Sequence, residues 1–427
     1  MLDIKIIREN PELVRQACKN KNVEVDIDRV LQLDEQRRSI QGQVDELNRQ
    51  RNLAAKEKDI ETGKRLKGEQ TGLEENLRQV EAELDPLLLS IPNLPSDDTP
   101  VGKDDSENVV LRQVGDIPRF DFQPKEHDAL GEALGWIDAE KAVEVSGARF
   151  VYMKGGLVEL ELALFSYVVG LLTNETALKK LIDGKQLDVS SKAFTLVSPP
   201  LMLRPEVMQR MGRLEPKEER YHIASDDLYL IGSAEHTLGP LHMDETCREE
   251  DLPCRYLAFT PAFRREAGSY GKDTRGIIRI HQFNKAEMES FTLPEQGIAE
   301  QNFLVAIEEH ITDALGLPYQ VVMTCTGDQG NPDARHIDIE TWMPGQNKYR
   351  ETHSSDYMTD YQARRLNIKV KREGGTEFVH MNDATAFAGR TLVAIMENYQ
   401  RADGTIGVPE VLRSFLGGRD VLISNTL

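Results

Sequence analysis

A chain of 427 residues exceeds one typical domain, so two are expected, and a charged share of 29% against a hydrophobic share of 39% suits a globular body joined to a solvated helical element. No apolar run approaches the ~18–20 residues that span a bilayer, the opening MLDIKIIREN lacks a signal-peptide pattern, and Cys18, Cys247, Cys254 and Cys325 form no CxxC pair, so a membrane span, a disulfide framework and a zinc ribbon are excluded and a reducing cytoplasm is the expected compartment. The formal charge of -20 argues against a general nucleic-acid binder and leaves the question to local basic patches.

Residues 1–27 read as a compact opening piece. From Val30 the apolar positions Val30, Leu33, Ile40, Val44, Leu47 and Ala54 alternate in threes and fours, interrupted by Arg37 and Arg51. A second run, Leu66, Gln70, Leu73, Leu77, Val80, Leu84 and Leu87, repeats the alternation. Together they predict an antiparallel helical hairpin over about 30–88, turning near KEKDIETGK beside Gly63, with Pro86 weakening the end of the second helix. Arg49, Arg51, Lys56, Lys58, Lys64, Arg65 and Lys67 outnumber Glu57, Asp59 and Glu61 at the tip. That tip is either an ordinary solvated coiled-coil surface or an arm that lies along a nucleic-acid backbone. Ser90 to Asn108 reads as a linker. The expected division is therefore 1–100 for the helical piece, 101–110 for the linker and 111–427 for a large domain.

In the large domain, RFVYM, FTLVS, LYLIG, RYLAFT, IIRIHQF, YQVVMT, HIDIETWM and EFVHM read as strands. LVELELALFSYVVGLL, PEQGIAEQNFLVAIEEHITDAL and TLVAIMENYQ read as helices. Several strands follow one another through turns alone, which predicts an α+β fold with a largely antiparallel sheet and flanking helices. Neither GxGxxG after a strand nor GxxxxGK[ST] occurs, and HExxH and GxSxG are missing too.

The chemistry concentrates in FRREAGSYGKDTRGIIRIHQFNKAE, which gathers Arg264, Arg265, Lys272, Arg275 and Arg279. Returning strands would set Arg264 and Arg279 face to face, and guanidiniums so placed need an anion between them, a polyphosphate being the natural guest. Glu266 would share the face of Arg264 and accept from an amino group, Phe283 would offer a face to a base, and Glu287 would bind an amine. A surface hairpin of ordinary ion pairs is the plainer alternative. Ser233 and Glu235 in LIGSAEHTL, Gly389 and Arg390 opening a helix, and Glu351 and Ser354 in KYRETHSSDY weigh toward a phosphate site with Mg²⁺.

Over nearly its whole length the chain resembles seryl-tRNA synthetases of the bacterial type. FRREAGSYGKDTRGIIRIHQFNKAE is similar to motif 2 of class II synthetases, and GRTLVAIMENYQ with VPEVLRSFL to motif 3. SPPLM at Pro199 and Pro200 is similar to the end of motif 1, and LLLSIPNLP closes the hairpin as in that family. The resemblance implies activation of L-serine by ATP and transfer of the seryl group to tRNA(Ser), with tRNA(Sec) as a further acceptor, in a cytoplasmic homodimer. It implies that Arg264 neutralises the α-phosphate, Glu266 reads adenine, Phe283 stacks on it, and Arg279 and Arg390 hold the outer phosphates. It implies Mg²⁺ on Glu351 and Ser354, the serine ammonium on Glu287 with Ser233 and Glu235, and tRNA on the basic hairpin tip.

Three departures surround the amino-acid pocket. SAE replaces TAE at Ser233, and HSSDYM replaces SSCSNF, placing His353 and Asp356 beside the metal ligands. HMNDATAFAGR is read as one residue shorter than the family segment. A late gap gives the side-chain contact to Thr385, with Asp383 for an Asn; an early gap gives Asn382 and Ala384. Two rival readings therefore stand beside a serine enzyme. One is a paralogue that activates another small amino acid or delivers it to another acceptor, and the other is a non-catalytic RNA-binding scaffold. His281 and His380 are expected to be structural rather than general bases, since adenylate formation needs none.

Overall fold

The computed structural model describes residues 1–267 and 275–424. Lys272, one of the gathered cations, lies outside the described residues. The chain divides into two compact units, Met1–Pro95 and Ser96–Leu427.

The first unit is helical. Short helices α1 (Ile4–Glu9) and α2 (Pro11–Asn20) precede two long ones, α3 (Ile27–Glu57) and α4 (Ile60–Ser90). Asp26 caps α3 through the Arg29 N–H at 2.9 Å, and Asp59 caps α4 through the Thr62 N–H at 3.0 Å. The turn is only Lys58 and Asp59, with Lys58 in the left-handed region at φ 57°. Gly63 does not form the turn: its N–H already bonds to Asp59 inside α4. Pro86 sits inside the last turns of α4, which runs on to Ser90.

Val30, Leu33, Val44, Ala54, Leu66 and Leu84 are buried along the seam. The interrupting arginines have partners: Arg37 pairs with fully buried Asp34 at 2.8 Å, and Arg51 donates to Gln70 across the hairpin. Arg49 and Arg65 pair with Glu46 and Glu69 along their own helices, at 2.8 Å and 2.6 Å. Lys56, Lys58, Lys64 and Lys67 stand exposed.

The second unit is built on an eight-stranded sheet. Its strands, in chain order, are β1 (Val109–Val114), β2 (Thr195–Val197), β3 (Cys254–Phe263), β4 (Gln282–Thr292), β5 (Tyr319–Met323), β6 (Arg335–Met343), β7 (Lys348–Tyr357) and β8 (His380–Ala388). Spatial order is β1-β5-β6-β7-β8-β4-β3-β2, antiparallel throughout except for the β2–β3 pair. Helices α5 (Gly156–Leu172), α6 (Gly297–Ala314) and α7 (Gly389–Asn398) contribute to a core with Leu160, Phe303, Leu304, Phe387 and Leu392. Among the described residues no single helix is long and apolar enough to cross a membrane.

Two expectations change here. IIRIHQF is not one strand, because β4 starts only at Gln282 and runs on through the polar NKAEMES. Residues 96–108 are not a free tether: the Ser96 N–H and the Thr99 hydroxyl both bond to the Ala334 carbonyl, and Asp98 pairs with Arg335 at 2.8 Å. Small hydroxyl and acidic side chains suited to a linker are equally suited to satisfying the backbone of a neighbouring loop.

Candidate active site

Two confluent cavities, of about 260 Å³ and about 570 Å³, open on one face of the sheet and share Arg264, Glu266, Arg279, Lys285, Glu351, Ser354 and Arg390. The smaller one also contains Phe283, Thr385 and Gly389. Arg264 and Arg279 do not sit on facing strands, as β3 has ended at Phe263 and β4 has not begun. The described residues just outside those strands bring them into one cavity instead. The Arg264 N–H bonds to the His281 carbonyl at 3.0 Å, its side chain reaches the Gly232 carbonyl at 3.0 Å, and its guanidinium lies 5.5 Å from the Phe283 ring centre. Glu266 stands in the left-handed region at φ 52°, so strand alternation does not place it; an ion pair with Arg279 and a hydrogen bond from Arg149 to its carbonyl do. The other wall is fixed by Gly276, at φ +65°, where a Cβ would fall 2.0 Å from His127 Nε2. Without it, His127 accepts the Ile277 N–H at 3.1 Å and anchors the segment to Glu397 of α7.

Two β-bulges set the floor. Opposite β6, Ile339 pairs with His353 and Glu340 with Glu351, leaving Thr352 as the extra residue. Opposite β4, Ala286 pairs with Phe387 and Glu287 with Thr385, leaving Ala386 extra. One added residue shifts the alternation by one, so positions three apart share a face. Glu351 and Ser354 therefore both reach the cavity, as do Thr385 and Ala388, while Ala384, Ala386 and Phe387 enter the core. Asp383 joins the site side, and buried Asn382 lies on the opposite pleat from it. Arg390, in the first turn of α7, bonds to Glu351 at 2.7 Å. Burial opposes the Glu351 charge, but Arg390 outweighs it and holds the carboxyl at about 2.

The larger cavity ends among acids. Glu235, Glu287 and Asp383 bring carboxylate oxygens within 4.8 Å of one another, an arrangement that suits an ammonium or a metal ion. Burial lifts Glu287 to about 7, with the Glu235 charge adding to it and Lys285 at 2.5 Å opposing it. Burial also lifts Asp383, helped by Glu235 and Asp356. For Glu235, Arg213 at 2.8 Å overcomes burial and holds the carboxyl well below its usual range. Ser233 is buried, with its hydroxyl 3.3 Å from Lys285 Nζ. Beside this group, His336 bonds Asp356 through Nδ1 and Asp338 through Nε2. Its burial is overridden by these two carboxylates, which keep the ring charged. Asp333, His336 and Asp356 also cluster closely enough for a metal, but both imidazole nitrogens are already engaged.

The fold thus gathers Arg264, Glu266, Arg279, Phe283, Glu351, Ser354, Thr385 and Arg390 at one end, and Glu235, Glu287 and Asp383, with Ser233 behind them, at the other. Thr385 bonds Ser354 at 3.3 Å and lines the smaller cavity. His353 turns from the site and bonds Thr352 at 2.9 Å; His281 and His380 bond the Arg264 carbonyl and the Tyr357 hydroxyl. The seven basic hairpin residues belong to the other unit. Sequence reasoning missed Lys285, Arg213, Arg220 and His336. Lys285 had a signal, since period-two alternation joins it to Phe283 and Glu287. Arg213 and Arg220 had none, as they lie in a distant loop.

Comparison with known proteins agrees with this geometry. Residues 1–95 match the seryl-tRNA synthetase N-terminal domain, and residues 219–399 the class II tRNA synthetase core domain (G, H, P, S and T). The serine–tRNA ligase of Brucella melitensis is 43% identical over 435 residues, covering 98% of each chain. The seryl-tRNA synthetase of Pyrococcus horikoshii, solved with ATP, superposes with a TM-score of 0.88 at 34% identity over 100% of both chains. The cytoplasmic serine–tRNA ligase of Naegleria fowleri, solved with AMP, gives 0.85 at 30% identity over 100% of this chain and 99% of that one. A chain with both domains in order, and this identity over its full length, belongs to the seryl-tRNA synthetase family.

Proposed function

We propose that the protein activates L-serine with ATP and passes the seryl group to the 3′ end of tRNA(Ser). The observation that carries this is the pair of confluent cavities, arginine-rich at one end and carboxylate-rich at the other. An α-amino acid offers the acid end its ammonium and the arginine end its carboxylate. A serine carboxylate oxygen attacks the α-phosphorus, a P–O bond forms, and the bond to the leaving pyrophosphate breaks. Arg264 neutralises charge growing on the α-phosphate, with no proton to move. Arg279 and Arg390 exchange their present partners, Glu266 and Glu351, for phosphate oxygens. Glu266 is then released to accept from the adenine amino group, and Phe283 to stack on the ring. Glu287 and Glu235 hold the ammonium, with Ser233 supporting Lys285.

Glu351, ionised above about 2, and the Ser354 hydroxyl fit Mg²⁺, which takes few protein oxygens alongside phosphates. When bound, the ion supplies positive charge to the phosphate oxygens. In the second step a terminal ribose hydroxyl of the tRNA attacks the seryl carbonyl and AMP leaves. The exposed lysines of the hairpin tip, together with Arg49, Arg51 and Arg65, supply backbone contacts for the RNA. The domain assignment follows: 1–95 for RNA, 96–427 for chemistry, with a homodimer built near Pro199 and Pro200 in the cytoplasm. tRNA(Sec) is a further acceptor on the same reasoning.

The test is amino-acid-dependent ATP–pyrophosphate exchange without tRNA, comparing serine with threonine, alanine, glycine and cysteine. Exchange with serine alone is expected. Exchange driven by another amino acid would move the same chemistry to that substrate, and no exchange with any would leave an RNA-binding scaffold.

A further inference from the structure

We propose that Arg213 sets the side-chain selectivity of the amino-acid pocket, admitting a small neutral hydroxyl-bearing side chain and excluding a cationic one; this rests on the functional reading above. Arg213 follows the helix Pro205–Met211, which ends on Gly212 at φ 75°. That left-handed residue turns the chain, with the Arg213 N–H bonded back to Met208 at 3.1 Å, and the side chain enters the inner end of the larger cavity. Four carboxylates from four separate segments converge on it. Glu235 forms a close ion pair with Nε at 2.8 Å, Asp333 and Asp356 lie at 3.6 Å, and Asp383 accepts from Nη2 at 3.5 Å.

The difference in distance matters. The close ion pair with Glu235 holds the fork in place, while the long hydrogen bond from Nη2 to Asp383, at 3.5 Å, leaves that carboxyl most of its bonding capacity toward the cavity. A serine hydroxyl placed beside the ammonium site meets both a guanidinium donor and a carboxyl acceptor. A methyl group there leaves both buried groups unmatched. A side-chain ammonium there would find carboxylates, but also a fixed cation within the same buried cluster, where like charges repel strongly. Arg213 thus occupies the position that a second substrate cation would otherwise take. Without it, an acid-rich pocket would favour a diamino acid over serine.

The probe is L-2,3-diaminopropionate, which carries an ammonium where serine carries its hydroxyl. The measurement is ATP–pyrophosphate exchange by the full-length protein with each amino acid, giving kcat and KM for each and KM for ATP. The wild type is expected to favour serine over diaminopropionate by roughly a hundredfold or more in kcat/KM. Arg213→Gln is expected to raise the serine KM roughly tenfold or more and to cut the serine preference by at least about tenfold, with the ATP KM little changed. Arg213→Lys, which keeps the charge, should retain the rejection of diaminopropionate. Wild-type protein that uses both amino acids equally well overturns the proposal even if no variant folds. A higher serine KM in Arg213→Gln with an unchanged preference also overturns it, leaving Arg213 a purely structural role. Absence of serine-dependent exchange in the wild type instead overturns the functional reading itself.

Discussion

The two ends of the cleft are built in opposite ways. The arginine-rich end comes from short stretches: Arg264, Glu266, Arg279 and Phe283 lie on one loop and its flanks, Glu351 and Ser354 on one strand, and Arg390 at one helix start. The carboxylate end is assembled from Arg213, Glu235, Glu287, Asp333, Asp356 and Asp383, on as many separate elements. A polyphosphate is recognised by donors that one short stretch of chain can present, so local sequence suffices. An ammonium and a small side chain need acids closing from several directions in a dry site. The balance of charge there depends on all of them together.

That contrast is sharpest in mutants. Arg264→Ala should cost on the order of 10²–10³-fold in exchange rate, because it removes charge stabilisation present mainly in the transition state. The loss should fall on kcat more than on the serine KM; near-normal kcat would remove Arg264 from the α-phosphate. Glu287→Gln should act at the other end, raising the serine KM by roughly ten- to a hundredfold while leaving the ATP KM near its wild-type value. Equal effects on both constants would show that the two ends are one energetic unit.

The acid end should also respond to pH where the arginine end does not. Glu287 faces Lys285 on its own strand and Glu235 and Asp383 across the pocket, and burial raises it to about 7. Below that value the carboxyl carries its proton and offers the serine ammonium no charge; above it the charge is present. The serine KM should therefore fall about tenfold as pH rises from 6 to 8. Glu351, held at about 2, stays ionised across this range, so the ATP KM should be flat. A serine KM independent of pH, or one equally dependent in Glu287→Gln, would detach the effect from Glu287. The smallest change is expected from Thr385→Val. Its hydroxyl bonds Ser354 in the smaller, arginine-rich cavity, so it should alter the ATP KM a few-fold and the serine preference little. A larger effect on serine than on ATP would move Thr385 to the amino-acid end. Outside both ends, deleting Arg51 to Arg65 should weaken aminoacylation of tRNA and leave exchange unchanged.

Legibility followed the same division. Helical periodicity announced the hairpin, because a seam of buried Val30, Leu33, Val44 and Leu66 needs only i,i+3 and i,i+4 spacing. It also placed the turn within KEKDIETGK, where Asp59, as the cap of α4, marks the start of the second helix. β4 was hidden because its central residues, Glu287, Glu289 and Ser290, are polar yet fully buried, which inverts the usual strand signal. The bulges at Thr352 and Ala386 were equally invisible, and they decide which of Asn382, Asp383, Ala384 and Thr385 meets the site.

By itself the sequence determined the antiparallel α+β class, the helical hairpin and the residues that would greet a polyphosphate, because periodicity and short motifs act over a few neighbouring residues. Only the tertiary structure decided where Arg213 and His336 stand and which acids keep their charge. Those outcomes depend on distances between segments that are separate in the chain and on the water that folding removes from between them.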